Sequence, residues 1–239
     1  MSAVRFMLLM PWGRVGSNLL FEILRQSAPM KLANETFNRL RSAEEQAEWF
    51  RDFYEVDAAA PSRAFIGSKQ AMMAVRDVPA TVATLRGAGV RVVRLRRDNL
   101  VKAAVSQMRA EDHAEKTRRE TGEAPWAIKK GLPPPGPSVL DPELLVKRIA
   151  IMERQHAALM TAFAPGDVLD IDYEEINADL AAAAAKLRRY LDVPEKPFKV
   201  PFEKATPDDL RTAIVNYDEV LARLSGTAYG NMLETQNSE

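Results

Sequence analysis

Residues 4–24 read VRFMLLMPWGRVGSNLLFEIL, and this stretch decides the fold. Val4–Met10 is a short apolar run of the kind found in strands buried on both faces of a parallel sheet. Pro11-Trp12-Gly13-Arg14 ends the run, and Ser17-Asn18 begin a helix whose apolar residues are Leu20, Phe21, Ile23 and Leu24. Gly13 and Gly16 flank Arg14-Val15. A glycine-containing turn between a strand and a helix N-terminus gathers free backbone N–H groups at the positive end of the helix dipole, which suits an anion, phosphate above all. A plain strand–turn–helix connection with Ser17 as N-cap is the other reading of the same residues.

Working outward, further strands are expected at Ala64–Ser68 (AFIGS), Val90–Leu95 (VRVVRL) and Val168–Ile171 (VLDI). Ser42 and Glu45 have capping-box spacing before a helix to about Tyr54, and Asp77 with Pro79 opens a helix that Gly87 closes. Asp141-Pro142 and Thr206-Pro207 open two long helices. This alternation predicts an α/β fold with a mainly parallel sheet. Residues 110–140 differ: dense charge leads to Trp126 and then to Gly131-Leu-Pro-Pro-Pro-Gly-Pro-Ser138. Three successive prolines fit neither a helix interior nor a central strand, so the segment reads as a long mobile flap within a single domain, 1–239.

The chain of 239 residues carries 33 Lys and Arg against 33 Asp and Glu. Zero net charge argues against nucleic acid or an anionic membrane held by bulk charge, so any anion site is local. The absence of cysteine removes disulfides, thiolate metal sites and cysteine nucleophiles, and His113 and His156 are too few for a three-histidine zinc site. Phe6–Trp12 is too short for a membrane span or signal core, which predicts a cytoplasmic protein. The composition leaves a homodimer open.

The loop lacks the lysine of G-x-x-x-x-G-K-[ST], so the usual magnesium-dependent phosphoryl chemistry is not expected, nor a metal. A second basic element, VVRLRRDNLVKAAVSQMRA (92–110), follows the strand at Val90–Leu95. Residues 91–109 hold Arg91, Arg94, Arg96, Arg97, Lys102 and Arg109 against Asp98 alone, a local charge of +5. Arginines at the C-terminal end of a parallel strand lie where open α/β sheets bind ligands, and guanidinium binds phosphate oxygens in pairs. The competing reading is a solvated basic helix whose arginines pair with acids elsewhere.

GRVGSNLL (13–20) resembles the 5′-phosphosulfate loop of sulfotransferases that use 3′-phosphoadenosine-5′-phosphosulfate (PAPS), especially the bacterial carbohydrate, trehalose-type branch. That loop is written around R-S-G-S-[TS]-L-L; Val15 stands for the usual serine and Asn18 for the usual threonine. RLRRDNLVKAAVS (94–106) resembles the family's 3′-phosphate element. NETFNRL (34–40), VLDIDYEEI (168–176) and NYDEVLARLSGTAY (216–229) are similar to its acidic segment, late strand and C-terminal region. The resemblance implies an α/β fold with a P-loop-type central parallel sheet flanked by helices, and transfer of a sulfuryl group from PAPS to a hydroxyl of a carbohydrate, glycolipid or other small-molecule acceptor.

It further implies that Arg14, Gly16, Ser17 and Asn18 hold the 5′-phosphosulfate, that Arg97 and Ser106 hold the 3′-phosphate, and that Glu35 is the general base, with Arg14 acting on the leaving group. Arg97 and Ser106 are nine residues apart where many cytosolic members have eight, so either a helical offset exists or Arg96 shares the role. On the residues alone, Glu35 also reads as a solvated surface acid. Lys69 is a second candidate cation for the bridging oxygen, or a surface lysine. Trp126 can cover a sugar or adenine, or anchor the flap. His156, on the stripe Ile149, Met152, His156, Leu159, Met160 and Phe163, reads as a packed core histidine. Asp170 and Asp172 imitate a metal-binding strand end. A nucleotide kinase or NTPase and a catalytically silent nucleotide-binding scaffold remain as alternatives. Acceptor specificity is expected in segments 36–60 and 110–140.

Overall fold

A computed structural model describes residues 3–55, 65–123, 126–164 and 166–233. Ala64, residues 56–60 of the segment 36–60, and residues 124–125 of the segment 110–140 lie outside these. Along the chain run β1 (Val4–Met10), α1 (Ser17–Ser27), β2 (Lys31–Asn34), α2 (Ala43–Tyr54), β3 (Phe65–Ala71), α3 (Val78–Gly87), β4 (Arg91–Arg96), α4 (Leu100–Thr121) and β5 (Ile128–Lys129). There follow α5 (Pro142–Ala162), β6 (Leu169–Asp172), α6 (Tyr173–Ala178), α7 (Leu180–Leu191), β7 (Phe202–Glu203) and α8 (Tyr217–Leu224). The chain divides into two compact units, Met1–Asp98 with Gln155–Lys199, and Asn99–Arg154 with Val200–Glu239.

The first unit is an α/β structure with a central parallel sheet flanked by helices. Its five-stranded sheet has the order β2-β3-β1-β4-β6, and every neighbouring pair is parallel. β1 is central, and Phe6, Met7, Leu8, Leu9 and Met10 are all buried, which explains its unbroken apolar sequence. Met7 and Leu9 join Phe50 and Tyr54 of α2, Leu85 of α3, Val92 of β4, and Leu159 and Phe163 in one core cluster. The Phe6 ring covers Gly67 of the neighbouring strand, where a Cβ would come within 2.0 Å of it, so glycine is required there. The buried Tyr54 hydroxyl lies 2.7 Å from the Phe6 carbonyl oxygen and 2.8 Å from Ser68 Oγ.

α2 opens with the expected capping box: Ser42 Oγ accepts from the Glu45 N–H while the Glu45 carboxylate accepts from the Ser42 N–H. Asp77 caps α3 through the Ala80 N–H at 2.9 Å. β2 gives no clear signal in the sequence, because KLAN is a four-residue edge strand with both ends exposed and no apolar run.

In the second unit, α4 continues to Thr121 and is closed by Gly122 in the left-handed conformation, φ 80°. The excursion expected over 110–140 therefore begins only after the helix: lysine, arginine and glutamate pairs one turn apart, such as Lys116–Asp112 and Arg119–Glu115, sustain 110–121 as solvated helix. The proline-rich stretch is tied down within its unit, since Ser138 bridges Ile214 and the buried Arg109 donates to the carbonyls of Pro135 and Ala213. The long helix expected from Thr206-Pro207 does not form. Asp209 instead turns its side chain onto the Arg211 N–H, giving a single 3-10 turn at Leu210–Thr212 before the short α8. No helix among the described residues is long and apolar enough to cross a membrane.

Candidate active site

The parallel strands of the first unit deliver their following loops to one edge of the sheet. The chain leaves β1 toward β2 on one side and leaves β4 toward β6 on the other, so the ends of β1 and β4 form the switch point where open α/β sheets bind ligands. From β1 comes the loop Pro11–Gly16. Arg14 and Gly16 both adopt left-handed backbone conformations, φ 70° and 79°, around the fully buried Val15. Gly16, not Ser17, is the N-cap of α1, and no side chain caps the helix. A Cβ on Gly16 would lie 2.8 Å from Ile176 Cδ1 and would have to displace that methyl, and the left-handed φ strains any other residue there. Ser17 is buried as the first helical residue and Asn18 is the second.

From β4 comes Arg97. Its Nη1 donates to the Arg14 carbonyl oxygen at 3.1 Å, and its guanidinium stacks 4.1 Å from the centre of the Tyr173 ring. Burial, and after it the Arg97 charge, lowers the Arg14 pKa below the ordinary arginine range, with the Tyr173 phenol opposing. Arginine keeps its proton in proteins, so both side chains are cations at the loop that leads to the N-terminus of α1.

The other arginines of β4 are spent within the sheet. Register sets Arg94 opposite Asp170 and Arg96 opposite Asp172. Both pairs are bidentate: Arg94 Nε and Nη2 donate at 2.6 and 2.8 Å, and Arg96 Nε and Nη2 at 2.6 and 2.7 Å. Arg91 donates to the Tyr190 carbonyl at 2.8 Å. Asp170 and Asp172 are thus arginine partners, and Arg96 is committed where Arg97 faces the loop.

The third contribution comes from β3. Lys69 is paired in register with Leu8 on one side and Asn34 on the other, and is 1% exposed. Its ammonium donates to Asn18 Oδ1 in the first turn of α1 and lies 3.2 Å from Glu35 Oε1. Burial lowers its pKa and the Glu35 charge opposes that shift. Glu35 follows β2 directly, in a left-handed conformation of φ 49°; its N–H donates to the Lys69 carbonyl at 2.7 Å and its Oε2 accepts from Asn38 at 3.2 Å. A lysine from the neighbouring strand thus reaches the first turn of α1. The sequence treats Lys69 as one of two equal options; its position within a strand flanked on both sides is the signal for burial.

His156, in the first unit, is half-buried with its ring 6.2 Å from that of Trp12. Its Nδ1 and Trp12 Nε1 are buried with no hydrogen-bond partner among the described residues. Burial, and then the charge of Arg96, holds the His156 pKa below the ordinary histidine value. Ser106 belongs to the second unit, buried in the second turn of α4, and Trp126 in that unit is about half exposed.

No protein-family model and no curated protein matches the chain. Among solved structures it is similar to a sulfotransferase from Alicyclobacillus acidocaldarius, at 14% identity and TM-score 0.43 over 96% of this chain and 95% of that one. It is also similar to the sulfotransferase domain from the curacin biosynthetic pathway, at 14% identity and TM-score 0.41 over 96% and 83%. A third likeness is to mouse sulfotransferase SULT7A1 complexed with PAP, at 13% identity and TM-score 0.41 over 82% of this chain. The match spans 62% of the mouse protein's length. At these identities none of the three assigns a role to a residue of this chain.

Proposed function

We propose that the protein is a PAPS-dependent sulfotransferase acting on an acceptor hydroxyl of a carbohydrate or glycolipid, in the trehalose-type branch of the family. One observation carries this reading: Arg97 bonds the Arg14 carbonyl in the loop that leads to the N-terminus of α1, while Lys69 joins the first turn of that helix to Glu35. An anion seat and a carboxylate base are thereby held on one rigid frame. The residues present fit a donor that is anionic at both ends. Arg14, Gly16, Ser17 and Asn18 would hold the 5′-phosphosulfate and Arg97 the 3′-phosphate, with Ser106 added from the sequence resemblance alone.

The donor supplies a sulfuryl group on a phosphate leaving group. As the acceptor oxygen forms its bond to sulfur, the S–O bond to the 5′-phosphate breaks, and the product nucleotide carries away the electron pair. Glu35 takes the acceptor's proton. Arg14 and the amides at the start of α1 stabilise charge on the leaving phosphate oxygen. Of the two departures from the family's loop, Val15 is buried within it and Asn18 presents an oxygen to Lys69.

Transfer of labelled sulfate from PAPS to a panel of glycans and glycolipids tests the reading. Thermal shift with 3′-phosphoadenosine-5′-phosphate against ATP plus magnesium separates it from a kinase, because a ligand that binds only the native state raises its melting point. Selective stabilisation by ATP would overturn it, as would donor binding without transfer to any acceptor.

A further inference from the structure

Lys69 has an arrangement that the transfer step alone does not require. Its ammonium is buried and, among the described residues, pairs with Glu35, donates to Asn18 on the helix that forms the anion seat, and lies 6.0 Å from the centre of the Phe21 ring. A buried ammonium needs a counter-charge, and Glu35 supplies it in the absence of donor. Glu35 is anchored from its backbone to the Lys69 carbonyl and from Oε2 to Asn38, so the carboxylate stays in place when the ammonium moves. The lysine side chain has four rotatable bonds, and Asn18 offers a contact on the donor side of it.

We propose that Lys69 is a positioning residue that hands its charge from Glu35 to the donor, so that the base is released only when the anion seat is filled. This rests on the reading of the site as a PAPS site and adds its regulation. With the seat empty, Lys69 neutralises Glu35. With an anion at Arg14 and Asn18, the ammonium is drawn to that anion, and Glu35 loses its opposite charge. A carboxylate that loses a cationic neighbour is a stronger base. Donor binding and proton abstraction are then coupled through one side chain, and a hydroxyl that reaches Glu35 before the donor finds a neutralised base.

The coupling is measurable without turnover. Affinity for PAPS, with no acceptor present, is determined by calorimetry for wild type, Glu35→Gln, Lys69→Met and the double variant. If Lys69 is shared, Glu35→Gln frees it for the donor and tightens PAPS binding on the order of three- to tenfold, as expected for residues in direct contact. Lys69→Met weakens binding, and in that background Glu35→Gln changes affinity by less than about twofold. Lys69→Arg, which retains the charge, restores part of the coupling and serves as the test if the methionine variant does not fold. Unchanged or weaker PAPS binding by Glu35→Gln overturns the handover and leaves the sulfotransferase reading intact. Failure of wild type to bind PAPS overturns that reading and the handover with it.

Discussion

The seam between β4 and β6 and the edge above β1 and β3 use the same residue types to opposite ends. At the seam, Arg94 and Arg96 face Asp170 and Asp172 by strand register, and each guanidinium is closed by a bidentate carboxylate. Above β1 and β3, Arg97 bonds a carbonyl and a ring face, Arg14 is pressed by Arg97, and Lys69 is divided between Asn18 and Glu35. The seam pairs each arginine with a carboxylate across the strands; the edge sets Arg97 against a carbonyl and a ring, and shares Lys69 between an amide oxygen and one acid. The difference teaches that a local charge of +5 identifies no site until the register shows which cations are already spent.

Breaking the edge should cost the most. Glu35→Gln is expected to lower turnover about 10²- to 10⁴-fold, the range for loss of a general base, without weakening PAPS binding. Steady-state rates with near wild-type turnover would remove Glu35 from the base role. Breaking the seam should cost stability and not affinity: Asp170→Asn strands the buried Arg94 and is expected to lose about 2 kcal/mol, discounted because Asp170 is partly exposed. Denaturant unfolding measures it, and PAPS affinity under native conditions should hold. Arg97→Ala sharpens the contrast from the other side, with PAPS affinity falling roughly tenfold, the value of one charge-assisted hydrogen bond, while unfolding free energy changes less. Equal affinity would return the 3′-phosphate to Arg96.

A smaller effect separates the two regions by pH. His156 packs by Trp12, and the Arg96 and Arg94 charges oppose its protonation while those of Asp98 and Asp172 favour it. Its folded pKa lies below its unfolded value of about 6.5, so the unfolded chain binds the extra proton. Stability is present above that unfolded value and is lost as pH falls from it toward the folded pKa. Melting temperatures between pH 7 and 5 should fall more for wild type than for His156→Gln; parallel curves would contradict the shift.

Much of the fold is legible in residues 4–24 and in the capping signals. The strand Val4–Met10, the box at Ser42 and Glu45 and the Asp77 start all read directly, because each depends on near neighbours. β2 does not, since an edge strand of four residues has no periodicity to show. Thr206-Pro207 carries a helix-start signal that Asp209 defeats by a local bond no pattern reveals. In the candidate site, the positions of the loop and of Arg97 at strand ends are legible, because each follows a strand run directly. The Lys69–Glu35–Asn18 contact is not, because 51 positions separate Lys69 from Asn18 and only the pairing of β3 with β1 and β2 joins them.

Among the described residues, the non-glycine positions with left-handed backbone are Arg14, Glu35 and Asp192. Asp192 merely closes α7. The other two are residues to which chemistry is assigned here, and each occupies a conformation that L-residues avoid at about 1–2 kcal/mol. Glycine would relax either backbone while losing some of that gain to its own chain entropy. Arg14→Gly should therefore unfold within about 1 kcal/mol of wild type, yet be inactive, whereas Glu35→Gly gains the same backbone relief but strands the buried Lys69 ammonium and loses stability. A lineage or a directed-evolution campaign selected for heat resistance alone would find Arg14 cheap to surrender and Glu35 held in place by the buried Lys69, and would lose the loop cation before the acid.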